Sequence, residues 1–156
     1  MNLVENMREL VNAVSTHVQS IDPELEVKFG TDFCYIGSRN LIVFTLEMTR
    51  RSFLSFSAFV EENFPDIQAD IFLWSLYHEV GHNATEDDFD QDDWTEYLDT
   101  INHWTDSRND SDYYSLPIEY AATEWAAEYM MKHADEVRVF WNQIQPIILD
   151  MYKEIE

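Results

Sequence analysis

The stretch that decides the fold is Ile71-Phe72-Leu73-Trp74-Ser75-Leu76-Tyr77-His78-Glu79-Val80-Gly81-His82. Its first seven residues carry no charge, which is typical of a helix buried in the core of a domain. Asp66 follows Pro65 and is a suitable N-cap, so we predict a helix over residues 67–81. Two histidines and a glutamate are costly to bury on so apolar a helix unless something pairs with them.

The spacing of the histidines predicts a metal site. His78 and His82 are four residues apart, so on a helix both imidazoles lie on one face and can reach the same ion. Glu79 follows the first histidine directly, where it can hold and deprotonate a water molecule as general base. A catalytic zinc keeps three protein ligands and one open position, so a third ligand has to come from elsewhere in the chain.

The third ligand is expected on a helix that begins at Pro117 and reaches about His133. This helix contains four alanines between positions 121 and 127, and small side chains allow two helices to approach closely. Glu119 lies on the same stripe as Ala122 and Ala126, facing such a close contact. We therefore predict that Glu119 completes a zinc site with His78 and His82.

The flanking segments predict an α+β fold that is mostly helical. Residues 3–18 form an amphipathic pattern that ends at Asp22-Pro23, and three short apolar segments follow at 25–29, 33–36 and 41–46. We expect these segments to form an antiparallel three-stranded meander, with 41–46 as the edge strand that pairs with an extended peptide. Further helices are predicted over 52–63, 92–103 and 135–152. No linker or repeat interrupts residues 1–156, which predicts a single domain.

Composition restricts the partners. The 156 residues include 31 acidic and 9 basic side chains, a formal charge of −22. Such a charge disfavours nucleic acids and anionic membranes and favours basic partners. The single cysteine excludes an intrachain disulfide. The N-terminal residues are too polar for a signal peptide, and no apolar run approaches the roughly 20 residues of a membrane span. We expect a soluble, cytoplasmic protein.

The acidic charge is concentrated in an insertion over about residues 83–116, between the two ligand-bearing helices. From 52 to 107 there are 14 acidic residues and no lysine or arginine. This field would attract cationic substrates, although a solvated loop that only aids solubility explains it equally well. Hydrolysis also needs a donor for the developing oxyanion, and the candidates in the insertion are His103, Tyr113 and Tyr114.

The two motifs together resemble the ImmA/IrrE-type metallopeptidases, which are compact, gluzincin-like zinc proteases that cleave DNA-binding repressors. The resemblance rests on the HEVGH sequence at 78–82 and on the pattern E-x-x-A-x-x-W-A-A-E-x-M-M at 119–131. It implies a zincin-like core, zinc ligands His78, His82 and Glu119, and Glu79 as general base. Thr123 stands where many members have asparagine.

Two functions follow from these observations. The first is a zinc endopeptidase that hydrolyses a small, basic, repressor-like protein. The second is a non-enzymatic acidic protein of phage or mobile-element type, which imitates DNA and keeps its metal site for stability or as a relic. The formal charge of −22 is compatible with both functions. Only the first function explains why four site residues occur together, namely His78, Glu79, His82 and Glu119.

Overall fold

The computed structural model describes residues 2–48, 51–104 and 110–155. Within these ranges the chain forms seven α-helices and one small three-stranded sheet, which confirms the mostly helical α+β class. The chain folds as two compact units, residues 1–46 with 132–156, and residues 47–131. None of the described helices is both long and apolar enough to cross a bilayer.

The first unit combines two long helices with the sheet. Helix α1 (Leu3–Ile21) begins with a capping box between Asn2 and Glu5, and it packs against α7 (Ala134–Ile155) and β1 (Glu26–Phe29). Both helices match the predicted amphipathic segments, and Pro146 lies inside α7. The core of this unit is built from aliphatic and aromatic side chains: Leu10, Val14, Val18, Leu25, Ile42, Phe44, Ile144 and Met151.

The predicted meander is wrong, because the sheet is mixed and its strand order is β1-β3-β2. Strand β3 (Leu41–Phe44) pairs in parallel with β1 and antiparallel with β2 (Cys34–Ile36). The central position suits β3 because three of its four residues are buried, whereas β1 is largely exposed. The proposed peptide-binding edge at 41–46 is therefore also wrong, since β3 already pairs on both sides.

The regular secondary structure in the described part of the second unit is entirely helical. It contains α2 (Arg51–Asn63), α3 (Ile71–Thr85), α4 (Gln91–Asn102), α5 (Asp110–Tyr114) and α6 (Pro117–Lys132). The predicted helix start at Asp66 is wrong: the N-cap is Asp70, whose side chain accepts a hydrogen bond of 2.8 Å from the Phe72 amide. The helix also continues to Thr85, so the whole HEVGH motif lies within regular helix.

The described part of the acidic insertion is mostly helical. The end of α3 leads into a short 3₁₀ turn, and α4 starts with a capping box in which Asp90 and Asp93 bond each other's backbone amides. No residue of α4 is buried. Helix α5 contacts α2. The insertion therefore adds mainly polar surface to this unit, together with a few half-buried aromatic side chains.

Candidate metal centre

Helix α3 brings the two histidines of the motif together. Their rings lie edge to face with centroids 4.6 Å apart. His78 is buried and His82 is partly buried, in a helix with nine buried residues. Phe56 packs edge-on against His78 at 5.2 Å. The i, i+4 spacing thus produces the shared face that the sequence predicts.

Helix α6 supplies Glu119, which is 2% exposed. Its Oε1 atom lies 3.0 Å from Nε2 of His78 and 3.1 Å from Nε2 of His82. The three side chains form a group whose possible ligand atoms all lie within 4.8 Å of one another. The structure therefore brings together the three predicted ligands, including the one that comes from a distant helix.

The close approach of α3 and α6 depends on Gly81. A Cβ atom at this position would lie 3.1 Å from both Cα and C of Ala122 and closer still to its carbonyl oxygen. Only glycine leaves room for the Ala122 backbone, and Ala122 itself is completely buried. The small residues at this crossing thus set the distance between the histidines and Glu119.

The electrostatics of the group favour a positive charge among these side chains. Burial alone would raise the pKa of Glu119, but hydrogen bonds from His78 and His82 outweigh it and hold that pKa well below its usual range. Burial opposes protonation of His82, yet the hydrogen bond and charge of Glu119 and the charge of Glu79 raise its pKa. A proton on His82 compensates the negative charge of these carboxylates, and a metal cation would compensate it equally well.

Thr123 contacts the other ring nitrogen of His78. Its hydroxyl lies 2.9 Å from Nδ1 of His78 and donates to the Glu119 carbonyl at 3.2 Å. The Thr123 hydroxyl has only one proton, which it donates to the Glu119 carbonyl. The hydroxyl therefore acts as acceptor towards His78, and we assign the proton in that hydrogen bond to Nδ1 of His78. In the neutral ring, Nε2 of His78 then carries a lone pair, so donation of a hydrogen bond from Nε2 to the Glu119 carboxylate requires a second proton on the ring. Two acceptors so close require a shared proton or a cation, so the residues fit a metal ion.

The second oxygen of Glu119 has a different partner. Tyr97 of α4 donates a hydrogen bond to Oε2, and its hydroxyl also lies 3.3 Å from that of Tyr113 in α5. Burial and the charge of Glu119 raise the pKa of both tyrosines, which keeps them protonated as donors. Two aromatic residues of the acidic insertion are thus part of the site.

The remaining predicted site residues fall in different places. Glu79 is half-buried, close enough for its charge to act on His82 and Tyr97. Tyr114 packs against Phe56, and its hydroxyl donates to the Ser52 carbonyl at 3.2 Å.

His103 caps the exposed end of α4. Its Nδ1 atom contacts Asp99, through the backbone carbonyl at 2.8 Å and the carboxylate at 3.4 Å. Of the three candidate oxyanion donors, Tyr113 is therefore the one in the hydrogen-bonded network around Glu119.

Sequence reasoning missed the roles of Thr123 and Tyr97. Thr123 follows Glu119 by four residues on α6 and so lies on the same helix face, a signal that was available in the sequence. Tyr97 has no comparable signal, because only folding brings the insertion to Glu119.

The donor set of the centre is two imidazole nitrogens and one carboxylate oxygen, which could hold a metal ion. This set suits zinc and several other divalent transition metals, so the geometry alone does not select one. No protein-family model, curated protein or solved structure matches this chain.

Proposed function

We propose that this protein is a cytoplasmic zinc-dependent endopeptidase of the ImmA/IrrE type. The observation that carries the proposal is the convergence of His78, His82 and Glu119, with Glu79 one residue beyond the first histidine. Binding of a catalytic ion would explain why two histidines and a glutamate lie together in a buried position. A purely structural zinc site would normally have four protein ligands rather than three.

The proposed mechanism assigns each residue a separate task. His78, His82 and Glu119 would hold the zinc, which when bound lowers the pKa of a water molecule towards about 7 and polarises a carbonyl group. Glu79 accepts a proton from the attacking water and delivers it to the nitrogen of the leaving amine. Tyr113 is the favoured donor to the oxyanion that develops on the substrate.

The proposed substrate is a small basic regulatory protein, such as a DNA-binding repressor. The support is electrostatic: the 52–107 segment, which carries the HEVGH motif, has 14 acidic residues and no lysine or arginine. Such a field increases the encounter rate with cationic proteins, and added salt weakens the effect.

The competing function is the acidic DNA mimic, which the charge of −22 also favours. Such a protein would bind a basic partner in a fixed ratio and leave it intact. It needs neither Glu79 nor an open coordination position. Metal content and cleavage therefore separate the two functions.

The test combines elemental analysis with cleavage of a basic DNA-binding repressor, and an acidic protein of similar size serves as the substrate control. We expect one zinc per chain, and Glu79→Gln should retain the metal but lose at least about 100-fold in cleavage rate. Glu124→Gln is the matched control, because it makes the same charge change at an exposed position of α6. Tight binding of the repressor without cleavage by the wild-type protein would replace the peptidase with the mimic.

A further inference from the structure

The two carboxylate oxygens of Glu119 are used differently. Oε1 faces Nε2 of both histidines, at 3.0 and 3.1 Å. Oε2 accepts the hydrogen bond from the Tyr97 hydroxyl. One oxygen is thus directed at the candidate metal position, and the other is bonded to a residue outside the ligand set.

Tyr97 reaches Glu119 from a helix that is otherwise weakly buried. No residue of α4 is buried, and Leu98, the next residue, is 55% exposed. The Tyr97 ring is half-buried and packs edge-on against Trp94, with ring centroids 5.9 Å apart. The Tyr113 hydroxyl lies 3.3 Å from that of Tyr97. Packing and hydrogen bonding therefore hold the Tyr97 hydroxyl in place.

We propose that Tyr97 is a positioning residue for Glu119, an inference that rests on the proposed metal site. A carboxylate can bind an ion through one oxygen or, after a small rotation, through both. The hydrogen bond from Tyr97 occupies Oε2 and opposes that rotation, so Glu119 offers Oε1 alone. The ion then keeps a coordination position that a second carboxylate oxygen would otherwise fill.

The test is Tyr97→Phe, which removes the hydroxyl and keeps the ring that contacts Trp94. Affinity for Zn²⁺ and Co²⁺ is measured by competition with a chelator, and we expect it to fall about 10- to 100-fold. The visible spectrum of the Co²⁺ protein should lose intensity, because a second bound oxygen raises the coordination number. Tyr152→Phe is the matched control: it removes a hydroxyl bonded to the Leu46 carbonyl at 2.7 Å in the other unit and should change neither quantity.

A destabilised variant would not hide the result. The absorption is recorded at saturating Co²⁺ and expressed per bound ion, because partial unfolding lowers the amount of bound metal but leaves the absorption per bound ion unchanged. Equal affinity and an equal spectrum in Tyr97→Phe would overturn the proposal. If the wild-type protein bound neither metal, the site and this inference would both fall. If it bound metal but cleaved nothing, only the peptidase would fall, because Tyr97 is tested through metal binding.

Discussion

Gly81→Ala tests whether the crossing of α3 and α6 sets the geometry of the candidate metal centre. In an ordinary helix interior this change stabilises by roughly 1 kcal/mol, because alanine has the higher helix propensity. Here the added Cβ would lie 3.1 Å from two backbone atoms of Ala122 and well inside 3.0 Å of its carbonyl oxygen. These are backbone atoms, so no side-chain rotation can relieve the contact.

The magnitude follows from the space required. Ordinary contacts begin at 3.4 Å, so the Cβ and the Ala122 carbonyl oxygen must move apart by more than 0.4 Å. Metal–ligand distances lie within about 0.2 Å of their standard values. Glu119 lies three residues before Ala122 on α6, so a displacement of this helix also moves the Glu119 carboxylate. Overpacking of this kind destabilises by about 1–3 kcal/mol. We therefore expect a lower stability and a metal affinity reduced by about 100-fold or more.

The assay measures urea unfolding without metal and Zn²⁺ affinity by chelator competition. Ala84→Gly is the matched control: Ala84 is exposed in the last turn of the same helix, so the change lowers helix propensity without altering the crossing. The control should bind zinc as tightly as the wild-type protein. An alanine at position 81 that raised stability and left zinc affinity within about threefold of the wild type would refute the reasoning.

Two further predictions concern Thr123 and His17. Thr123→Val keeps the shape but removes the partner of Nδ1 of His78, so metal affinity in the chelator assay should fall about 10- to 100-fold; unchanged affinity would contradict the assigned tautomer. His17 stacks on Phe140 at 3.9 Å, and burial lowers its pKa from 6.5 to about 4 although the charge of Glu136 opposes the shift. Between pH 4 and 6.5 the folded state therefore binds fewer protons at His17 than the unfolded state does. The contribution of neutral His17 to the unfolding free energy is complete above pH 6.5 and is lost as the pH falls towards 4. The unfolding free energy of the wild-type protein minus that of His17→Gln should therefore decrease by about 1–2 kcal/mol between pH 7 and 4, after allowance for partial exposure, and a constant difference would exclude the effect.

Local patterns in the sequence predicted most of the helices. The i, i+4 histidines, the alanine stripe and Pro117 are signals within single helices, and the structure places His78, His82 and Glu119 together as those signals indicated. Helix boundaries were less accurate. The N-cap is the aspartate whose side chain accepts a hydrogen bond from a backbone amide of the first helical turn, and in the structure this is Asp70. Asp66 and Asp70 are the same residue type, so N-cap preference does not distinguish them.

What the sequence determined by itself is whatever depends on neighbours along the chain: the helical class, the shared face of the histidines and the strongly acidic charge. Only the tertiary structure decided the strand order, because pairing with β3 depends on the burial of the whole strand rather than on turn residues. Tertiary structure also brought Tyr97 to Glu119 across 22 positions of the chain. Hydrogen bonds and packing between distant segments leave no periodic trace in either segment, so a single sequence cannot reveal them.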